Sequence, residues 1–457
     1  MTRFRFLSLS IIFVSATLLA QSNPIPLVSA PLVPASAAPG SKGFTLTVNG
    51  TGFVSGAVVN WNGSPRTTQV VSGSQVKATI NASDVAQAGT AFVVVANPKP
   101  GGGASNVAYF PIRMSSKSVK VTPRSLPKGA IAVGDFNGDG KLDVAVGHAY
   151  TIEIFLGKGD GTFQQPILSS SKFEPSTMTA GDFNGDGQLD LFAARVEDKY
   201  FISSSVFFGT GDGKLSEGTV ANDIYTPYGD QSLADLNDDG KLDFVSGLGG
   251  VFLGNGDGTF SESYFAPNYG QPAIGDFNGD GKLDYAVPRN SITTRETDVY
   301  LGNGDGTFQG PVAYFTSYYP LSVVTADVNG DGILDLITGG ICVLLGKGDG
   351  TFTPNGCVTV GKGGVLDGNN PSVVGDFNGD GKLDVAVLVG FPHAVKKIYL
   401  LLGHGDGTFQ KPIVFPAGEF PEAGVLPSGF SVGDFNGDGK LDFIVTSKRK
   451  TLILLQK

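Results

Sequence analysis

Histidine, cysteine and tryptophan are scarce in this chain: three His, two Cys and one Trp in 457 residues, with charged residues at only 16%. Lys and Arg number 32 against 42 Asp and Glu, a formal charge of −10, and they form no basic run. A phosphate backbone is gripped by clustered Lys and Arg, so nucleic acid is excluded as a partner. No nucleophile elbow, zinc motif or phosphate-binding loop occurs. Beyond the first twenty residues no apolar run is long enough to cross a membrane. With so few cysteines the fold must rest on apolar cores, which 41% hydrophobic residues can supply, and the length allows two or more domains.

What is abundant is glycine, 67 residues, with 26 Pro and no short period, the composition of a protein rich in tight turns. Arg3 and Arg5 precede an uncharged stretch, Phe6 to Ala20, shorter than the roughly 20 residues a spanning helix needs. Residues 1–20 are therefore expected to be a secretory signal peptide, placing the protein outside the cell or on its surface. Leu18 suits a cut after Ala20 poorly, and Ala16 and the region Gln21 to Asn23 are alternative sites. Cys342 and Cys357 flank an expected hairpin turn at Gly346 to Gly350; in an oxidising compartment they could pair, and two separate thiols are the alternative.

One nine-residue string recurs seven times. It reads DFNGDGKLD from Asp135, Asp276, Asp376 and Asp434, DFNGDGQLD from Asp182, DLNDDGKLD from Asp235 and DVNGDGILD from Asp327. The starts lie 47, 53, 41, 51, 49 and 58 residues apart, a period proper to propeller blades or other stacked repeats. A second string trails six of the seven copies, as in LGKGDGTF from Leu156 or LGNGDGTF from Leu253 and Leu301. Around both lie short β-branched runs without helical period, such as Ala130 to Val133, Val144 to Val146 and Ile152 to Leu156. Four such strands per repeat make a propeller blade, and a stacked solenoid is the competing arrangement. The seventh repeat has no second string and only two strands after its loop, Phe443 to Val445 and Thr451 to Leu455. Its missing outer strand is expected ahead of the first loop, in Ser118 to Val121, which would close a ring.

Each loop sets oxygen donors at positions one, three, five and nine, and position seven offers its backbone carbonyl. In loop order these are Asp135, Asn137, Asp139, Lys141 and Asp143; Asp182, Asn184, Asp186, Gln188 and Asp190; Asp235, Asn237, Asp239, Lys241 and Asp243; Asp276, Asn278, Asp280, Lys282 and Asp284. The remaining three are Asp327, Asn329, Asp331, Ile333 and Asp335; Asp376, Asn378, Asp380, Lys382 and Asp384; Asp434, Asn436, Asp438, Lys440 and Asp442. Ca2+ takes about six to eight oxygens in flexible geometry, and glycine at position six permits the sharp turn that such wrapping needs. An EF-hand would end in Glu at position twelve, where these copies hold Val, Ala, Ser or Thr, so the ninth-position Asp is expected to supply the bidentate carboxylate. Asn-Gly and Asp-Gly hairpins without metal are the competing reading, but a turn needs at most one of three mutually repelling carboxylates. Up to seven Ca2+ ions, one per loop, are expected. The single Asp of each trailing GDG is what a tight hairpin wants by itself.

The loops with their trailing strings, from about Ser118 to Lys457, resemble the FG-GAP (VCBS-type) repeats of integrin α-subunit propellers and of many bacterial extracellular proteins. The resemblance implies an all-β chain whose residues 118–457 form a seven-bladed β-propeller, with Ca2+ held between the first and second strands of each blade. Residues 23–114 lack the loop and show short alternating runs such as Phe44, Leu46, Val48 and Val76, Ala78, Ile80, which suggest a β-sandwich with Trp61 in its core. VNGTGFVSGAVVNWNG from Val48, ATINASDVAQAGT from Ala78 and NPKPGGGASN from Asn97 resemble an IPT/TIG immunoglobulin-like domain.

Function is expected to lie on the face away from the loops, where links of variable length emerge: Ala193 to Ser205, Val287 to Asp298 and Leu388 to Lys397. Seven of thirteen tyrosines fall in three successive segments (Tyr225 and Tyr228; Tyr264 and Tyr269; Tyr314, Tyr318 and Tyr319), either as a sugar- or protein-gripping surface or as packing between blades. The expectation is a non-catalytic binding or adhesion module for an extracellular protein or glycan. The alternative is a carbohydrate-active lyase or lectin, for which Arg195, Lys199, Arg289, Arg295 and His393 would have to converge in a cleft.

Overall fold

The computed structural model describes residues 22–457 except 117–118, 197–201, 221–230, 248, 267–269, 290–294, 317–319, 321, 340, 359, 361–370, 390–394, 420–428 and 447–449. The expected signal peptide therefore lies outside the described residues. The fold is all-β; a single turn of 3-10 helix, Ala82–Val85, is the one helical element among the described residues.

The first ninety described residues build two antiparallel sheets. One is ordered Leu27–Val33, Phe44–Thr51, Gln75–Ile80, Thr68–Ser72; the other runs Ser64–Pro65, Val58–Trp61, Gly89–Asn97, Gly103–Ala104, with Ala108–Ile112 also on Gly89–Asn97. The period-2 runs read from the sequence face each other across one core: Leu46, Val48, Val76, Ala78 and Ile80 are buried with Trp61 and Phe110.

From residue 121 onward come seven four-stranded antiparallel sheets, one per repeat. In the first, Ala130–Gly134, Asp143–His148, Thr151–Phe155 and Ile167–Ser170 pair in chain order. Register is the same throughout: the ninth-position Asp of the loop opposes the residue just before position one, as in Gly134 with Asp143, Gly275 with Asp284 and Gly433 with Asp442. The second strands are apolar at successive positions because both faces are covered. Along Asp143–His148, Val144 and Val146 pack toward the seventh sheet and Ala145 toward the second. The same holds all the way round. Each sheet shares a core with the next, and the seventh and first share one built of Ile131, Val144, Val146, Phe435, Ile444 and Ile453.

The seventh sheet is completed from the other end of this region. Val121–Leu126 pairs along its whole length with Thr451–Gln456, Val121 opposite Gln456 and Leu126 opposite Thr451. The outer strand thus spans Val121–Leu126 and overlaps the expected Ser118 to Val121 only at Val121, with one further bond from the Lys457 N–H to the Lys120 carbonyl at 2.7 Å ahead of it; Ser118 lies outside the described residues. Links on the far side are also shorter than expected: strands continue to Val196, Pro288 and Val389 and resume at Ile202, Glu296 and Val395. Cys342 and Cys357 are directly opposed on adjacent strands and form a disulfide, which decides between the two readings of the sequence.

Candidate metal-binding loops

Each loop joins the first and second strands of its sheet, and its side-chain oxygens are turned inward on its own backbone. In the first loop Asp135 accepts the N–H groups of Asp139 and Gly140 at 3.1 and 2.7 Å, Asn137 that of Asp139 at 3.1 Å, and Asp139 that of Lys141 at 2.9 Å. The bond from the position-six glycine to Oδ2 of the position-one Asp recurs in all seven loops, at 2.7 to 2.9 Å. Gly138 and Gly140 have φ of +70° and +78°, the left-handed region where a Cβ is disfavoured. The third loop places Asp238 there, at φ +57°, one of the few residue types that tolerate it.

The ninth-position Asp does something the spacing alone does not reveal. Asp143 is fully buried; its Oδ2 accepts the N–H of Phe136 at 2.9 Å and its Oδ1 the N–H of Gly157, first glycine of the trailing string, at 2.8 Å. The same pair of bonds is made by Asp190, Asp243, Asp284, Asp335 and Asp384. In the seventh repeat, which has no trailing string, Gln456 supplies the second N–H to Asp442 at 2.7 Å. This carboxylate therefore ties the loop to the end of the third strand. In the first repeat glycine is required at the donor position because a Cβ on Gly157 would sit 2.1 Å from the carbonyl oxygen of Leu142.

Burial pushes these seven carboxyls up against the pull of their two N–H donors, and the Asp residues at positions one and five add to the rise. Asp190 and Asp335 reach about 6, Asp143 and Asp284 about 7, and Asp243, Asp384 and Asp442 about 8. Asp235 at position one is raised to about 6 by burial, and Asp182, Asp276, Asp327, Asp376 and Asp434 are raised for the same leading reason. The trailing turns behave differently. Asp160 is drawn below its ordinary range by the hydroxyl and backbone N–H of Thr162, a closed Asp-Thr turn repeated at Asp257, Asp305, Asp349 and Asp406.

Among the described residues no three acidic, His or Cys side chains converge closely enough to form a ready metal group. The donor set nonetheless fits Ca2+: it is all oxygen, with at least three carboxylates and a carboxamide within nine residues, and every carboxylate oxygen that accepts one N–H keeps a further lone pair. The residues that would hold the ion are those at positions one, three, five and nine with the carbonyl of position seven.

The sandwich sits on the loops. Ile25 N–H donates to Oδ2 of Asp235 at 2.9 Å, Ser116 N–H to the carbonyl of Asn378 at 2.7 Å, and Arg113 to the carbonyl of Asp376 at 3.1 Å. Tyr109 is half-buried near Asp434, and the loss of solvent with that carboxylate pushes its hydroxyl up to about 12. Between Ser29, Asn49 and Ser72 of the sandwich and Asp276 and Asp327 of the fourth and fifth loops lies a cavity of about 340 Å³. None of these contacts was signalled by the sequence, in which Arg113 is a lone cation after an apolar strand.

The far-face tyrosines among the described residues serve packing. Tyr264 packs edge-on to Tyr300, at 6.2 Å between ring centroids, and against Phe308; Tyr314 packs on Phe352 and accepts its N–H. Both rings fill space between consecutive sheets. Arg289 is tied to Glu296 and Asp298. Tyr225, Tyr228, Tyr269, Tyr318, Tyr319, Lys199 and His393 lie outside the described residues.

Residues 135–193, 235–287, 290–338 and 376–445 match the FG-GAP-like repeat, half of the chain, and the chain belongs to that family. No curated protein matches it in sequence. Among solved structures it is similar to an auxiliary nutrient binding protein from Bacteroides ovatus, at 11% identity and a TM-score of 0.40 over 95% of this chain and 98% of that one. A second auxiliary nutrient binding protein, from Bacteroides thetaiotaomicron, gives 11% and 0.34 over 95% and 98%. AofleA from Arthrobotrys oligospora gives 10% and 0.34 over 67% and 93%. Likeness at this level carries no functional inference. No helix among the described residues is long and apolar enough to cross a membrane.

Proposed function

We propose that the chain is an exported, calcium-stabilised, non-catalytic binding module: a seven-bladed propeller of FG-GAP-like repeats with an immunoglobulin-like sandwich of the IPT/TIG kind on its loop face. The single observation that carries this reading is the docking of the sandwich onto the third, sixth and seventh loops through Ile25, Arg113, Ser116 and Tyr109. A loop face covered by the chain itself serves the scaffold, and recognition of an outside partner falls to the opposite face, where the links between second and third strands and between sheets emerge.

The ring is supported by the seven shared cores, the last of which joins the seventh sheet to the first; a linear stack would leave those two sheets apart. Calcium is supported by the carboxylates themselves. Seven buried Asp side chains have proton affinities raised by burial and by their acidic neighbours, and a divalent cation would relieve both. The partner is an extracellular protein or glycan. The test is a glycan and matrix-protein binding screen with the intact chain, in Ca2+ and in chelator. Retention of a glycan or protein that chelator abolishes supports the reading; turnover of an acidic polysaccharide to unsaturated products would replace it with a lyase.

A further inference from the structure

The sixth loop has an arginine from another part of the chain seated against its backbone. Arg113 follows the strand Ala108–Ile112 of the sandwich, is 6% exposed, and donates through Nη2 to the carbonyl of Asp376 at 3.1 Å and through Nη1 to Oε1 of Gln456 at 2.8 Å. Gln456 is itself fixed: its Nε2 donates to the carbonyl of Phe377 at 3.0 Å and its N–H to Asp442. The guanidinium lies so close over the loop that a Cβ on Gly379 would stand 2.5 Å from Nε, and that Nε is buried with no hydrogen-bond partner. Asp376, Asp384, Asp438 and Asp434 are the carboxylates whose field reaches the charge.

Among the described residues the loop's own lysine makes no pair with the position-five Asp, an arrangement it shares with Lys282 of the fourth loop. Lys141, Lys241 and Lys440, at position seven of the first, third and seventh loops, pair with the position-five Asp at 3.2, 3.4 and 2.9 Å. Lys382, the equivalent in the sixth, turns away and donates to the carbonyl of His404 at 2.6 Å. Positions one to four of this loop are also the most thoroughly covered, with Asp376 and Asn378 each 4% exposed beneath the sandwich.

We infer that Arg113 is the resident cation of the sixth loop, so that this loop binds Ca2+ at least about tenfold more weakly than the other six while the sandwich is docked. A fixed positive charge seated against the loop repels a second cation and occupies the approach to it. The inference rests on the calcium reading of the loops and adds to it that the seven are not equivalent.

The test counts tightly bound Ca2+ on the chelator-stripped full-length chain by equilibrium dialysis. R113M is expected to bind one ion more than the parent chain, R113K to match the parent, and D380N added to R113M to remove the gained ion. A parent count that R113M leaves unchanged, with the sandwich still docked by amide-exchange protection, overturns the inference and leaves the calcium reading standing. A chain that binds no Ca2+ at all overturns both. Should R113M not fold, a crystal of the Ca2+-loaded parent chain decides: anomalous density in other loops but not beside Arg113 supports the assignment, and a Ca2+ ion in the sixth loop refutes it.

Discussion

The structural duty of the ninth-position Asp can be separated by substitution from the metal ligation proposed for it. Asp284 accepts from Phe277 and Gly302 at 2.8 Å each, bonds that need no metal. An Asn there has one oxygen for two donors, so D284N should lower stability by about 2 kcal/mol even in chelator. D280N, at an exposed position whose carboxylate serves only its own loop, should matter only in Ca2+. Parallel denaturant melts of the two variants, with and without Ca2+, check the split. Gly302 is the partner in this arrangement, and a Cβ there would lie 2.1 Å from the carbonyl of Leu283. G302A is therefore expected to cost at least about 2 kcal/mol, read from the same melts.

The positions of loops, turns and strands were legible because they repeat: seven copies of one string fix the period, and alternation along runs such as Val144 to Val146 fixes which core each residue enters. What could not be read is whatever occurs once. Arg113, Ile25 and the side chain of Gln456 act through partners between 79 and 343 residues away and belong to no pattern. The double bond of the ninth Asp was hidden for another reason: its second donor sits in the trailing string, and nothing in linear spacing says that the two strings meet.

At the scale of the loop, the raised carboxyls set a pH dependence whose sign follows from linkage. A carboxyl whose folded pKa exceeds its unfolded value holds its proton longer in the folded state. Folding is then penalised as pH climbs from the unfolded value near 4 through the folded values of about 6 to 8. In chelator, the melting temperature should therefore fall between pH 5 and pH 8.5, by more than about 5 °C. Saturating Ca2+ should flatten or reverse that slope, and a scanning calorimetry series across pH reads both. The hairpin closed by Cys342 and Cys357, 15 residues apart, is an element of another kind. Its bond restricts only the unfolded chain, so C342S/C357S should lose up to about 3 kcal/mol, independently of Ca2+.

For the whole molecule, ligands that bind only the folded form stabilise it cumulatively, so excess chelator should lower the melting temperature markedly and Mg2+ should not restore it, being too demanding of octahedral geometry. An unchanged curve would remove calcium from the account and leave the loops as Asx-type turns. Because the third and seventh loops also carry the sandwich, amide exchange in Ala108–Ile112 should quicken under the same conditions.

The pairing of Val121–Leu126 with Thr451–Gln456 has a consequence for biosynthesis. On the ribosome, the former segment emerges more than three hundred residues before its mate, and throughout that interval the first sheet lacks the neighbour against which Val144 and Ile131 are packed in the finished molecule. A nascent chain of this kind presents an unsatisfied greasy flank until Thr451–Gln456 has been translated. Any truncation that removes Thr451–Gln456 would leave every other sheet intact in sequence yet deprive the assembly of its latch.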